Sequence, residues 1–185
     1  RLERVGIEAN FTIRRGEVAA EVDTLANDLQ ADVVVLATHG RSGVERLLRG
    51  SVAHDLMSIT DTPVLLIRPT ESWKSRSVKF RRILVSLDGS EGAEGVLRFV
   101  RAIARQFESE IVLLSVPERD AEKEMLERYL TQVATALQAR GHKVRTLITG
   151  SVPAQTIVDV AVDEKADLVM MATRGRGAGA TGVDL

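Results

Sequence analysis

The chain has 185 residues, of which 44% are hydrophobic and 28% charged, a composition typical of a soluble globular protein with a substantial core. Its 25 Lys and Arg side chains nearly balance 26 Asp and Glu side chains, for a formal net charge of -1, which argues against nucleic acid as a partner. The absence of cysteine excludes disulfides, thiolate nucleophiles and cysteine-based zinc sites, and it is typical of a reducing compartment such as the cytoplasm. No run approaches the roughly 20 apolar residues that a membrane-spanning helix needs.

Helical and strand patterns alternate along the chain. In chain order they predict a helix over 18–29, a strand over 33–36, a helix over 52–59, strands over 63–67 and 83–85, helices over 93–107, 121–139 and 153–164, and a strand over 168–171. The runs at 33–36, 83–85 and 168–171 are apolar without alternation, as in parallel strands that are buried on both faces. Gly141 is predicted to cap the third of the long helices. The alternation predicts an α/β fold with doubly wound, Rossmann-like parallel sheets.

The sequence repeats itself at an offset of 135 residues. When Ala19–Arg41 is aligned with Ala154–Arg176, ten of the 23 positions are identical, including turn residues that two unrelated buried strands would not share. Self-similarity at a fixed period indicates two copies of one unit. The sequence therefore predicts two related domains in tandem, over 1–69 and 81–185, joined by a polar linker over 70–80.

The period also predicts that each copy is incomplete. The strand over 83–85 has no counterpart in the first copy, because 135 residues earlier falls before position 1. The stretch over 50–69 would recur beyond residue 185. Buried parallel strands need their neighbours for backbone pairing, so we expect a longer parent chain.

The most distinctive polar segment runs from Ala37 and Gly40 to Gly50 and Ser51, at the start of the predicted helix over 52–59. It follows a strand, at the edge where open α/β sheets bind ligands. Glycine lets backbone N–H groups approach a phosphate, and a helix N-terminus adds partial positive charge. The same residues also fit a tight turn followed by a serine N-cap, so spacing alone leaves both interpretations open.

Two stretches carry a family resemblance. The segment over 36–51, with the strand over 63–67, resembles the C-terminal signature of universal stress proteins, which reads Gly, two residues, Gly, nine residues, Gly-Ser/Thr. The segment over 83–90 resembles the opening strand and turn of the same family. The resemblance covers nearly the whole chain outside the linker. It implies the ATP-binding branch of the family, in which the long motif holds ribose and phosphates while an Asp and a Val after the first two strands bind ribose and adenine.

By position, the resemblance implies eight nucleotide-binding residues: Ala37, Gly40, Gly50 and Ser51 in the first copy, and Asp88, Val116, Ala172 and Gly175 in the second. Two further candidates are Arg41, whose guanidinium could pair with a phosphate or belong to a solvated charged face, and Ser86, at the end of the opening strand. Ala37 stands where the family has its first glycine, and Ser86 stands where it often has proline. No Gly-Ser follows Gly175 at the family's spacing before residue 185. Neither copy therefore shows a complete site in this sequence.

Three functions remain open at this stage. The first is a stress-response regulatory protein that binds ATP or a related adenine nucleotide, with or without Mg²⁺, and signals through domain pairing within the chain, a homodimer or a regulatory protein partner. The second is a dimeric scaffold that binds no nucleotide, which the alanine at position 37 would favour. The third is a slow ATPase. A dedicated catalyst is not indicated, because Walker A, kinase and Gly-x-Ser-x-Gly motifs are absent and the three histidines lack metal-ligand spacing.

Overall fold

The structure is a computed structural model that describes residues 6–37, 52–68 and 79–173. Its contacts divide the chain into two compact units, Arg1–Arg76 and Ser77–Leu185. The division falls within the segment 70–80, most of which lies outside the described residues.

The first unit contains two helices and a pair of parallel strands in its described part. Helix α1 spans Val18–Asp28, strand β1 Val34–Ala37, helix α2 Val52–Ile59 and strand β2 Val64–Ile67. β1 and β2 pair in parallel, with Val34 opposite Val64 and Ala37 opposite Ile67. α1 and α2 pack together through buried small and apolar side chains, including Ala19, Ala26 and Leu56.

The second unit is built around a parallel sheet. Its elements are β3 (Arg82–Ser86), α3 (Glu91–Glu94), α4 (Leu97–Phe107), β4 (Glu110–Ser115), a 3₁₀ turn (Asp120–Glu122), α5 (Lys123–Gln138), β5 (Lys143–Ile148), α6 (Pro153–Asp163) and β6 (Leu168–Met170). The described strands are ordered β5-β4-β3-β6, and every neighbouring pair is parallel. The α/β class and parallel sheets predicted from the sequence are therefore confirmed.

Helices cover the sheet of the second unit on both faces. On one face Ile83 and Val85 of β3 belong to a core with buried residues of α4 and α5. On the other face Leu84 of β3 packs with Val160 of α6. Because side chains alternate along a strand, adjacent residues of β3 enter the two cores in turn, as the doubly wound prediction requires.

The burial prediction holds only for the central strand. Residues 83–85 are fully buried, whereas burial alternates along β1 and β6, where Val35 is 53% and Val169 is 39% exposed. β3 lies between two strands and beneath helices on both faces, while β6 has one strand neighbour in the described part of the sheet. Apolar composition alone does not distinguish these environments.

Two element predictions need correction. The helix predicted over 93–107 consists of two helices, α3 and α4, because the chain is interrupted around Gly95, which has little helix propensity. The helix predicted over 121–139 begins as a 3₁₀ turn and becomes α-helical at Lys123. Strands β4 and β5 lie outside the runs from which strands were predicted.

The local structure recurs at the sequence offset. α1 shifted by 135 residues coincides with α6, and left-handed Gln30 (φ 49°) coincides with left-handed Lys165 (φ 52°). Both helices end in the same Schellman pattern: Ala31 N–H donates to Ala26 O at 2.8 Å, and Ala166 N–H donates to Ala161 O at 2.9 Å. The repeat is thus expressed in backbone conformation as well as in residue identity.

The predicted cap at Gly141 is confirmed. Gly141 has φ 85° and donates its N–H to Gln138 O at 2.8 Å, and His142 donates to Leu137 O at 3.2 Å. These two bonds form a Schellman motif with glycine at the left-handed position.

Carboxylates fix the register between β3 and its neighbours at the amino edge of the sheet. Asp167, just before β6, accepts hydrogen bonds from the backbone N–H groups of Arg81 (2.8 Å) and Arg82 (3.0 Å). Glu110 at the start of β4 accepts from Arg82 Nε (2.8 Å) and from Arg145 Nε of β5 (2.7 Å). The Arg145 guanidinium, followed by Arg82, holds the pKa of Glu110 below its usual value.

The left-handed residue at the end of α6 generates a stability prediction. A non-glycine residue in this conformation costs about 1–2 kcal/mol, and glycine loses about 0.4–1 kcal/mol more chain entropy on folding. We therefore expect Lys165→Gly to raise the free energy of unfolding by about 0.5–1 kcal/mol, measured by urea denaturation. Lys165→Ala is the matched control: it removes the same side chain but keeps the strained conformation, so it should give no gain. An equal gain from both variants would show that the side chain, not the backbone, is responsible.

Candidate functional site

The strand order of the second unit reverses between β3 and β6, and open α/β sheets usually have a crevice at the carboxyl edge beside such a reversal. From β3 the chain passes to β4 and β5 on one side, and it then crosses over to β6 on the other side of β3. α4, which follows β3, packs on one face of the sheet, and α6, which precedes β6, packs on the other. Such a point, where the strand order reverses, is where open α/β sheets bind their ligands.

Asp88 begins the turn on the β3 side of this crevice. Its Oδ1 accepts hydrogen bonds from Ser90 N–H at 2.9 Å and from Ser90 Oγ at 2.6 Å, and Gly89 between them has φ 82°. Ser90 is in turn the N-cap of α3, because its Oγ accepts from Ala93 N–H at 3.2 Å. Asp88 thus orders the turn between β3 and α3.

Ser115 anchors the backbone beneath the Asp88 turn, and sequence reasoning did not identify it. This fully buried serine at the end of β4 donates from Oγ to Leu87 O at 2.6 Å, while Leu87 N–H donates to Leu114 O at 2.9 Å. The ends of β3 and β4 are therefore joined by bonds in both directions. The sequence signal for this role was the position of Ser115, because it is the polar residue that follows the apolar run over 111–114.

Ser86 and Val116 lie on the same face of the sheet. Val116 packs against the core that contains Leu84 and Leu114. Ser86 follows Leu84 by two residues and therefore points to the same face. Both residues are half-buried, and Ser86 is paired in register with Leu114. The structure thus brings Ser86, Asp88 and Val116 to one end of two adjacent strands.

Ala172 borders the other side of the crevice. It is half-buried and lies two residues beyond the last register pair between β3 and β6, Val85 with Met170. Adjacent strands are about 4.8 Å apart, so the chain at Ala172 runs close to the end of β3. Gly175, the next residue of the proposed phosphate loop, lies outside the described residues.

In the first unit, the described part includes one of the predicted site residues, Ala37. Ala37 is the last residue of β1 and is exposed. Helix α2 begins at Val52, the position predicted from the sequence. Gly40, Arg41, Gly50 and Ser51 lie outside the described residues, so their roles stay predictions.

Tyr129 is a second residue that sequence reasoning missed. Its ring, on α5, packs against the core that includes Leu87 and Ala93. Its hydroxyl oxygen is buried and forms no well-aligned hydrogen bond within the described part of the chain. Burial, and then the nearby carboxylates of Glu94 and Asp88, raise the pKa of the Tyr129 hydroxyl well above its usual value. The hydroxyl therefore keeps its proton at neutral pH and is a hydrogen-bond donor.

Two other features are absent from the described ranges. Residues 6–37, 52–68 and 79–173 contain no group of three or more His, Asp or Glu side chains placed to hold a metal ion. None of the helices in these ranges is both long enough and apolar enough to cross a bilayer.

Comparison with known proteins places the chain in a family. The model of the universal stress protein family matches residues 1–68 and 79–182, which together make up most of the chain. The chain belongs to the universal stress protein family.

Relatives of this universal stress protein are known from several organisms. A universal stress protein of Thermus aquaticus is 32% identical over 111 residues, which cover 54% of this chain and 81% of the relative. One of Methanocaldococcus jannaschii is 33% identical over 66 residues, which cover 36% of this chain and 39% of the relative. The chain thus spans less than half the length of the second relative.

The fold has a counterpart among solved structures. The crystal structure of a universal stress protein from Archaeoglobus fulgidus covers 97% of this chain and 62% of its own, with a TM-score of 0.76 and 22% sequence identity. This likeness shows that the fold of the chain is that of the family.

The two buried serines that flank β4 offer a matched pair of variants. Ser115 donates to Leu87 O beneath the Asp88 turn, while Ser109, at the opposite end of β4, donates to Phe80 O. Removing either hydroxyl leaves a backbone carbonyl without its hydrogen-bond donor, which lowers the free energy of unfolding by about 1–2 kcal/mol. We therefore expect Ser115→Ala and Ser109→Ala to lower stability similarly. Only Ser115→Ala should accelerate amide hydrogen exchange at residues 88–90; equal acceleration in both variants would refute the anchoring role of Ser115.

Proposed function

We propose that this chain is part of a stress-response regulatory protein that binds ATP or a related adenine nucleotide, and that the second unit holds the nucleotide in the crevice between the carboxyl ends of β3 and β6. The observation that supports the proposal best is the position of Asp88 beside a point where the strand order reverses. Membership of the universal stress protein family supports the stress-response role.

The described residues fit the adenosine half of such a ligand. Asp88 supplies carboxylate acceptors for sugar hydroxyls, and hydrogen bonds to a charged group are stronger than neutral ones. Val116 offers a half-buried apolar side chain on the face it shares with Ser86, where a base would be shielded from water. Ser115 holds the backbone between these groups in place. When bound, the nucleotide would supply the phosphates whose presence or number the protein senses.

Each unit would hold phosphates in its own loop, which begins at a described alanine and continues outside the described residues. In the second unit the loop would begin with Ala172 and Gly175. In the first unit Ala37, Gly40, Arg41, Gly50 and Ser51 would form it, with Mg²⁺ as an optional companion of ATP. Helix α2 begins directly after Ser51, so its N-terminal N–H groups would face a phosphate held there.

We also propose that the two units are related domains in tandem. The recurrence of α1 as α6 and of left-handed Gln30 as left-handed Lys165 supports this organisation. Pairing of the domains within the chain, or with a second copy, would give nucleotide occupancy a route to a regulatory protein partner in the cytoplasm. A scaffold without nucleotide and a slow ATPase are the alternatives that the following experiments separate.

The role of Asp88 is tested by two substitutions. Asp88→Asn keeps an oxygen that can accept from Ser90 and so preserves the turn, but it removes the charge. We expect the affinity for ATP, measured by titration calorimetry on the full-length protein, to fall by about one to two orders of magnitude. Asp88→Ala should weaken binding further because it also releases the turn. Asp163→Ala, on the exposed end of α6, is the control and should bind as the unaltered protein does.

The outcomes of that titration separate the candidate functions. Binding that is unchanged by Asp88→Asn would place the nucleotide elsewhere in the chain. Absence of ATP, ADP and AMP binding by the unaltered protein would favour the scaffold. Steady phosphate release from ATP in the presence of Mg²⁺ would favour the ATPase.

A second prediction concerns the phosphate loop of the first unit. If Gly50 is glycine because backbone N–H groups must approach a phosphate, Gly50→Val should abolish ATP binding at that unit by blocking the approach. Ser51→Ala should cost only about 1 kcal/mol, the value of one hydroxyl hydrogen bond or helix cap. The titration is made with Asp88→Ala in the background, so that one site is observed. Undiminished affinity in Gly50→Val would show that this motif is only a turn and a cap.

A further inference from the structure

The buried hydroxyl of Tyr129 lacks the partner that such a group normally has. Most buried polar side-chain atoms in proteins are hydrogen-bonded, and an unpaired buried donor costs free energy. The Tyr129 hydroxyl oxygen is buried without an aligned bond within the described residues, and the partly buried ring packs against the core formed by β3, α4 and α5. The free-energy cost of the unpaired Tyr129 hydroxyl is explained if its hydrogen bond forms in another state of the protein, such as the ligand-bound state.

The surroundings of Tyr129 indicate which bond that is. Glu94 is the nearby carboxylate that could accept from the hydroxyl, and Asp88 acts on it only through its charge. Glu94 is exposed and is the last residue of α3, so its side chain can move at little cost. Asp88 Oδ1 is engaged by Ser90. Glu94 is therefore the acceptor, because a small movement of its side chain would align its carboxylate with the Tyr129 hydroxyl.

Glu94 and Asp88 belong to one short segment of chain. The Asp88 turn leads through the N-cap Ser90 directly into the single turn of α3. The buried side chain of Ala93 ties this segment to the core that Tyr129 also contacts. A hydrogen bond between Tyr129 and Glu94 would thus fasten the far end of the segment that presents Asp88.

We propose that Tyr129 is a positioning residue for the nucleotide site: its hydroxyl donates to the Glu94 carboxylate in the nucleotide-bound protein and thereby holds the Asp88–Glu94 segment in the conformation that presents Asp88 to the sugar. This inference rests on the proposed nucleotide function. It assigns to Tyr129 and Glu94 a role that is exerted through Asp88, without contact between either side chain and the ligand.

The experiment compares binding with stability in the same variants of the full-length protein. Tyr129→Phe removes only the hydroxyl, so the ring still fills its place in the core. We expect its affinity for ATP to fall about tenfold, the equivalent of one hydrogen bond. The urea midpoint of the nucleotide-free protein should stay unchanged or rise, because a buried unpaired donor has been removed. A purely structural role would lower stability and affinity together.

Two further variants test whether the residues act as a pair. Glu94→Ala should lower the ATP affinity by a similar factor, and the double variant should lose no more than either single one. The loss should be the same for AMP, because Asp88 is assigned to the sugar and not to the phosphates. Glu124→Ala, which removes another carboxylate at the start of α5, is the control and should leave affinity unchanged.

The possible failures are distinguishable. Tyr129→Phe binding ATP as tightly as the unaltered protein, while Asp88→Asn binds weakly, would overturn the role of Tyr129 and leave the nucleotide function standing. Losses that multiply in the double variant would show that the two residues act independently, which also overturns the proposal. An unaltered protein that binds neither ATP nor AMP would overturn both proposals.

Discussion

The parallel pairing of β3 with β4 on one side and β6 on the other is the constraint on which the rest of the second unit depends. It buries Ile83, Leu84 and Val85 completely. These side chains alternate between the two faces of the sheet, so β3 contributes to both cores. It also sets the point at which the strand order reverses, where open α/β sheets bind their ligands. Asp167 contributes at the opposite edge, where it ties the start of β6 to the backbone of β3.

Polar side chains hold the backbone in place at the carboxyl ends of β3 and β4. Ser115 bonds the end of β4 to the carbonyl before Asp88, and Asp88 and Ser90 then bond to each other before α3 begins. These groups lie beside apolar core, where an unsatisfied polar atom would be costly. Within the described part of the second unit, the buried hydroxyl of Tyr129 has no aligned hydrogen bond.

Much of this architecture could be predicted from the sequence, for reasons that differ between elements. Helix α2 and the cap at Gly141 depend on local signals, and the structure confirms both. The interruption near Gly95 was missed because the apolar spacing continues across it. Ser115 and Tyr129 were missed because a serine that ends a strand, or a tyrosine at core spacing, carries no local mark of its partner. Leu87 O, which accepts from Ser115, and the Glu94 carboxylate near Tyr129 are brought close only by the tertiary fold.

The central claim is that the reversal of strand order at β3 forms an adenine nucleotide site around Asp88. A crystal structure of the full-length protein grown with a non-hydrolysable ATP analogue tests it most directly. The account predicts electron density for the adenosine at the carboxyl ends of β3 and β6, with a sugar hydroxyl within hydrogen-bond distance of the Asp88 carboxylate and the base beside Val116. Nucleotide density elsewhere in the second unit, with water alone at Asp88, would contradict it.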